Sequence, residues 1–136
     1  MKRVTMILTA MMVMVTLITP AEDALSEVPK RVNFADLIQK DSGPGTHCLY
    51  EKGHEDTPFT GIAVREFPDG RKSETHFKAG KGNGLSTLWF ANGKKAMEVT
   101  LVDDKPHGVM TVWDMQGNVL SRKTFEDGKE VAVAKD

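Results

Sequence analysis

Three glycines, Gly61, Gly84 and Gly108, are each followed nine residues later by another: Gly70, Gly93 and Gly117. Between them lie three alignable arms, 62–67, 85–90 and 109–114, each running into a turn-forming triplet. The triplets are Pro68-Asp69-Gly70, Ala91-Asn92-Gly93 and Met115-Gln116-Gly117. Asp-Gly and Asn-Gly are strong hairpin signals, because tight turns need positive φ and Gly and Asn reach it cheaply. A second arm follows each triplet and closes on its own phrase: Phe77-x-x-Gly80-Lys81, Leu101-x-x-Asp104-Lys105 and Phe125-x-x-Gly128-Lys129. The unit is therefore a hairpin of 23–24 residues, and the later copies hold one inserted residue of the kind a β-bulge absorbs. Self-similarity at a fixed period means a stack in which each unit buries its surface against its neighbours.

Alternation along the arms assigns them to strands. One parity holds Ile62, Val64 and Glu66; Leu85, Thr87 and Trp89; Val109, Thr111 and Trp113. The other holds Ala63, Arg65 and Phe67; Ser86, Leu88 and Phe90; Met110, Val112 and Asp114. Neither face is purely polar, as expected of a single-layer sheet with apolar ladders between neighbouring repeats. The expected fold is mainly β, an elongated antiparallel sheet of stacked hairpins over 47–129, with Gly61, Gly70, Gly84, Gly93, Gly108 and Gly117 as its turn glycines. A short N-terminal helix precedes it. Phe34, Leu37 and Ile38 have helical spacing behind a plausible N-cap, Asn33, which makes one turn or two over 33–40. Residues 22–46 otherwise read as a linker, broken by Ser42-Gly43-Pro44-Gly45, and 130–136 as a mobile tail.

Residues 1–21 read as an export signal. Lys2 and Arg3 precede an apolar run over 4–18, and Thr19-Pro20-Ala21 puts small residues where cleavage after Ala21 needs them. The run is shorter than the ~20 residues that span a bilayer. A cleaved signal is the expectation, with a periplasmic or secreted product, and a membrane tether arises only if the signal stays. The whole chain has 18 basic and 19 acidic residues, and cleavage would remove two basic ones and no acid. A nucleic-acid partner is not expected, since that calls for a concentrated basic face. The single Cys48 cannot close an internal disulfide; it is either a buried free thiol or an intermolecular link, and burial is the expectation.

These phrases resemble a known family. Leu49-Tyr50-Glu51-Lys52-Gly53, Pro58-Phe59-Thr60-Gly61, and the repeated Asn/Asp-Gly-Lys/Arg and Gly-Lys-x-x-Gly are similar to the variant MORN repeats of bacterial exported proteins. The resemblance spans about 47–129. It implies successive β-hairpins in an elongated sheet, and some members bear the label of antitoxin component of a toxin–antitoxin system. The chain departs from the pattern at Asp103-Asp104, where glycine is usual, at Asp114, where Phe67 and Phe90 lead one to expect an aromatic, and at His47-Cys48.

Catalysis and metal binding find little support. His47 and Cys48 are adjacent and would point to opposite sides of a strand, whereas zinc ligands must converge. Glu55-Asp56 and Asp103-Asp104 are adjacent carboxylates of the kind found in solvated turns. Gly80-Lys81-Gly82-Asn83-Gly84 lacks the Gly-Lys-Ser/Thr ending and the following helix of a phosphate loop. No cofactor or metal is expected, and no enzyme.

Two surfaces stand out as candidates. Trp89 and Trp113 share one repeat position, with Thr87 and Thr111 beside them, and should stack as neighbours on one face. They either pack the sheet against the N-terminal segment or form an aromatic groove for an extended peptide or a sugar. Lys81, Lys105 and Lys129 form a column at the repeat edges, suited to solvation or to anionic head groups. The leading functional expectation is a non-catalytic scaffold binding another protein, or itself, through a sheet face or edge. The alternatives are an antitoxin or immunity protein that binds one toxin, and a lipid- or glycan-binding envelope protein.

Overall fold

A computed structural model describes residues 28–43 and 46–131; the expected signal, 1–21, lies outside them, as does all of the tail after residue 131. The strands are β1 (Arg31–Asn33), β2 (Leu37–Gly43), β3 (Thr46–Glu51), β4 (His54–Pro58), β5 (Gly61–Glu66), β6 (Lys72–Lys78), β7 (Lys81–Trp89), β8 (Lys95–Val102), β9 (Lys105–Trp113), β10 (Val119–Glu126) and β11 (Lys129–Val131). They form an eight-stranded sheet in the order β1-β5-β6-β7-β8-β9-β10-β11 and a three-stranded sheet, β2-β3-β4. From β5 onward consecutive strands pair antiparallel, which is the expected stack of hairpins. The exception in the large sheet is β1, which runs parallel to β5 with Val32 opposite Ala63.

Two kinds of turn alternate along the stack. At one edge, the amides of Gly70, Gly93 and Gly117 donate to the carbonyls of Phe67, Phe90 and Asp114, and those three residues donate in turn to Arg71, Lys94 and Asn118. A side chain secures each loop. Asp69 Oδ1 accepts from the Arg71 amide at 3.1 Å and Asn92 Oδ1 from the Lys94 amide at 3.0 Å. The third copy has Gln116 at that position, and Asp114 takes over the task. Its carboxylate accepts from the Gln116 and Asn118 amides at 2.9 and 2.8 Å and from Asn118 Nδ2 at 2.9 Å. The missing aromatic is thereby explained: a turn without Asp or Asn in its tip draws its acceptor from the residue that opens it.

At the other edge the strands are joined by two-residue turns with both central residues at positive φ: Ala79-Gly80, Asp103-Asp104 and Asp127-Gly128. Asp103 and Asp104, at φ 48° and 68°, replace the usual glycine and are held from outside the turn. Asp104 Oδ1 accepts from the Gly82 amide at 2.6 Å, and Asp103 Oδ1 accepts from Asn83 Nδ2 at 3.0 Å.

The inserted residues of the later copies are bulges. β5 and β6 pair without a shift, whereas Leu88↔Met97 is followed by Trp89↔Lys95, skipping Ala96. Likewise Val119 and Ser121 pair with successive residues of β9, skipping Leu120. The six turn glycines divide: Gly70, Gly93 and Gly117 lie in turns, but Gly61 opens β5 and Gly84 and Gly108 lie inside β7 and β9. The positive φ of Gly84 and Gly108 serves register shifts within the ladder rather than chain reversal.

The linker expectation for 22–46 is corrected, because residues 31–33 and 37–43 are strands. Asn33 does cap, its Oδ1 accepting from the Ala35 amide, but the helix is a single 3-10 turn, Phe34–Asp36. Leu37 then turns into the core with Phe59 and Ala63, packed against Val32, Phe34, Leu49 and Phe77. Burial of Leu37 from a strand outweighs the helical spacing, since a surface helix here would leave one edge of β3 unpaired. Phe59 and Phe77 meet at 6.1 Å between ring centroids. Arg65 covers the Phe34 ring at 4.0 Å. The tail expectation shifts too, as Glu130 and Val131 pair with Phe125 and Thr124.

Cys48 is buried and free, as expected, with Sγ 3.2 Å from Ser42 Oγ. A Cβ on Gly80 would lie 2.8 Å from Cys48 Cβ and 3.0 Å from the Leu49 backbone, whereas one on Gly93 would meet nothing within 4 Å. Both positions have φ near +80°. Gly93→Ala should therefore cost only the left-handed penalty of about 1–2 kcal/mol, and Gly80→Ala clearly more. Urea unfolding of the two variants checks this, and equal losses would contradict it.

Candidate functional site

The pleat divides the large sheet into two faces. One carries Ala63 and Phe77 and receives the core beneath the small sheet. The other carries Thr87, Trp89, Thr111 and Trp113. Cross-strand pairing sets Glu74 beside Thr87, Thr87 beside Glu98, and Glu98 beside Thr111. A second row runs from Lys72 through Trp89 to Lys95. Trp89 and Trp113 thus share a face but do not stack as neighbours, because β8 runs between β7 and β9. Two strand spacings, roughly 10 Å, separate their backbones. Lys95 fills the interval, its Nζ 5.9 Å from the Trp113 ring centroid. Thr87, only 4% exposed, is the floor of this face; Thr111 and both tryptophans are half-buried.

Trp89 stands between two open hollows. One, about 350 Å³, is lined on the turn side by Gly70, Lys72, Glu74, Phe90, Ala91 and Gly93. The other, about 180 Å³, runs toward Leu85 over Thr87 and is bounded by His76, Glu98 and Lys95. Glu74 borders both. The ionic groups around the ring are paired among themselves. Glu74 bonds Arg31 of β1, and Lys72 Nζ lies 3.0 Å from its carboxylate. Glu98 bonds Lys95. Burial pushes the Glu74 carboxyl up, but hydrogen bonds from Lys72 and Arg31 and their positive charge outweigh it and hold it below its ordinary value.

Among the described residues of the N-terminal segment, Arg31 reaches this face through Glu74, while Phe34, Leu37 and Phe59 cover the opposite one. The sequence pointed to both tryptophans and missed Lys72, Glu74, Lys95 and Glu98. A signal existed, because hairpin register makes these residues the cross-strand neighbours of Trp89 and Thr87.

Lys81, Lys105 and Lys129 begin β7, β9 and β11 at the two-residue-turn edge. Lys81 and Trp89 are at opposite ends of β7, roughly 26 Å apart along the strand. The lysine column and the tryptophans are therefore two surfaces. Among the described residues none of these three lysines has an ion-pair partner. His47 is exposed and 2.6 Å from Asp41, on the side of β3 away from buried Cys48. Among the described residues no three His, Cys, Asp or Glu side chains cluster as metal ligands would, and no helix is long and apolar enough to cross a membrane.

No family model matches the chain, and neither does any curated protein or solved structure.

A folded-state carboxyl held below its ordinary value of 4.5 contributes stability above that pH and loses it as pH falls through the lower, folded value. Wild type should therefore lose stability more steeply than Glu74→Gln as pH drops below about 4.5. Parallel pH profiles of unfolding midpoint for the two proteins would contradict this.

Proposed function

We propose that the chain is a non-catalytic, exported binding module of MORN type, which engages a macromolecular partner through the face built on Trp89 and Trp113. The observation that carries this reading is the pair of open hollows on either side of Trp89, on the face opposite the buried cluster of Leu37, Phe59 and Ala63. One of its carboxylates speaks against proton-transfer chemistry. Glu74 is bonded to Arg31 and Lys72, whose hydrogen bonds and positive charge hold its carboxyl below its ordinary value, which keeps it ionised and unsuited to shuttling protons near neutral pH.

The sheet edges favour strand addition less than the face favours docking. Both outer strands of the large sheet, β1 and β11, are three residues long. The part of β10 that β11 leaves uncovered holds the Leu120 bulge, Arg122 and Lys123. Short outer strands, bulges and charge are the devices that blunt an edge against pairing. Leu120 itself is 66% exposed, in a bulge that interrupts the ladder.

The test is a crosslinked pull-down from the native envelope fraction with wild type, Trp89→Ser and a variant with Lys81, Lys105 and Lys129 changed to Ser. The expected partner is enriched by wild type and by the lysine variant and lost from folded Trp89→Ser. A partner retained by Trp89→Ser, or lost with the lysines, overturns the assignment of the face.

A further inference from the structure

We infer that the tryptophan face takes a neutral, linear β-1,4-linked hexopyranose chain, laid across the strands with sugar rings on Trp89 and Trp113; this rests on the reading of that face as the contact surface. The first argument is spacing. Equivalent positions in consecutive hairpins recur every second strand, roughly 10 Å apart across the sheet. In a β-1,4-linked chain every second ring presents the same side, and that disaccharide repeat matches two strand spacings. An indole offers a flat apolar platform with a negative face, which suits the C–H patch of a pyranose while its equatorial hydroxyls point outward.

The second argument is charge. Glu74 is bonded to Arg31 and Lys72, and Glu98 to Lys95, so among the described residues both carboxylates around Trp89 are already matched by cations, three to two. Those groups still have lone pairs and N–H donors to spare, since a carboxylate accepts at several sites and an ammonium donates three times. A surface whose ions are engaged with one another and that still offers many donors and acceptors fits hydroxyl groups. The unpaired lysines that would attract a polyanion begin β7, β9 and β11, at the far end from the tryptophans. The third argument is space: the hollows on the two sides of Trp89, about 350 and 180 Å³, leave room for the substituents of a ring lying on the indole.

The chain has two tryptophans, both on this face, so intrinsic fluorescence reports on the site in the unmodified protein. The experiment titrates the full chain with di-, tetra- and hexasaccharides of β-1,4-linked N-acetylglucosamine and glucose, with α-1,4-linked glucose oligomers as controls. Expected are a shift in tryptophan emission with a β-1,4-linked series, about a tenfold gain in affinity from di- to tetrasaccharide as the second ring is engaged, and no loss as NaCl rises to about half molar. Trp89→Ala and Trp113→Ala, each checked for fold by circular dichroism, should each weaken tetrasaccharide binding about tenfold or more. Equal binding of the α-1,4-linked oligomers, a salt-sensitive affinity, or no response to any oligomer overturns the inference. Emission that shifts with an envelope protein but with no glycan overturns it and leaves the binding face standing; emission moved by neither overturns both.

Discussion

In each unit of this sheet, one backbone amide in a two-residue turn reaches back to the preceding unit. Gly80 donates to the Phe59 carbonyl at 2.8 Å, Asp104 to Gly82 at 2.9 Å and Gly128 to Pro106 at 2.9 Å. Each acceptor lies two residues before the glycine that begins the repeat phrase. The residue between them faces the first turn residue. Thr60 Oγ1 accepts from the Ala79 amide at 3.0 Å, Asn83 Oδ1 from the Asp103 amide at 3.3 Å, and His107 Nδ1 stands 3.9 Å from Asp127 Oδ1. Ala79, Asp103 and Asp127 are all non-glycine residues at positive φ, a conformation costing about 1–2 kcal/mol each. The bonds back to the previous unit offset that cost, so each turn is stable only where a preceding unit exists. Stability that depends on nearest neighbours is the property of a repeat array.

The same contact chain joins the small sheet to the large one. Leu49 donates to the Gly80 carbonyl, Gly80 to Phe59, and Phe59 to Leu49, closing a three-way set of backbone bonds over buried Cys48. The β3–β4 hairpin thus occupies the place of a preceding repeat, and its side chains, with those of β2, cover one face of the stack at β5 and β6. The opposite face carries Trp89, Trp113 and the paired ions around them.

Much of the stack was legible because turns are local chemistry. Pro68-Asp69-Gly70 and Ala91-Asn92-Gly93 specify their loops by residue type alone, and one extra residue per later unit announced the bulges at Ala96 and Leu120. The segment from Arg31 to Gly43 was not legible, since Phe34, Leu37 and Ile38 satisfy a helical period equally well. What decides is tertiary: Val32 pairing with Ala63, and Leu37 entering the core beside Phe59. At the candidate site the tryptophans and their common face were legible from parity. Their separation was not, because equal positions in successive hairpins are never adjacent strands. The roles of Asp103, Asp104 and Asp114 were hidden for a related reason. Asp103 and Asp104 bond to Asn83 and Gly82 of the preceding unit, and Asp114 to the amides of its own turn, partners that appear only once the backbone is folded.

The most direct test of this account is native-state hydrogen exchange at the amides of Gly80, Asp104 and Gly128. Turn amides facing solvent would exchange at the rate of an unstructured peptide. If the repeats are held through these bonds, all three should be protected to the level of the amides within β7. Fast exchange at these positions in an otherwise protected sheet would contradict the claim that each hairpin is anchored on its predecessor.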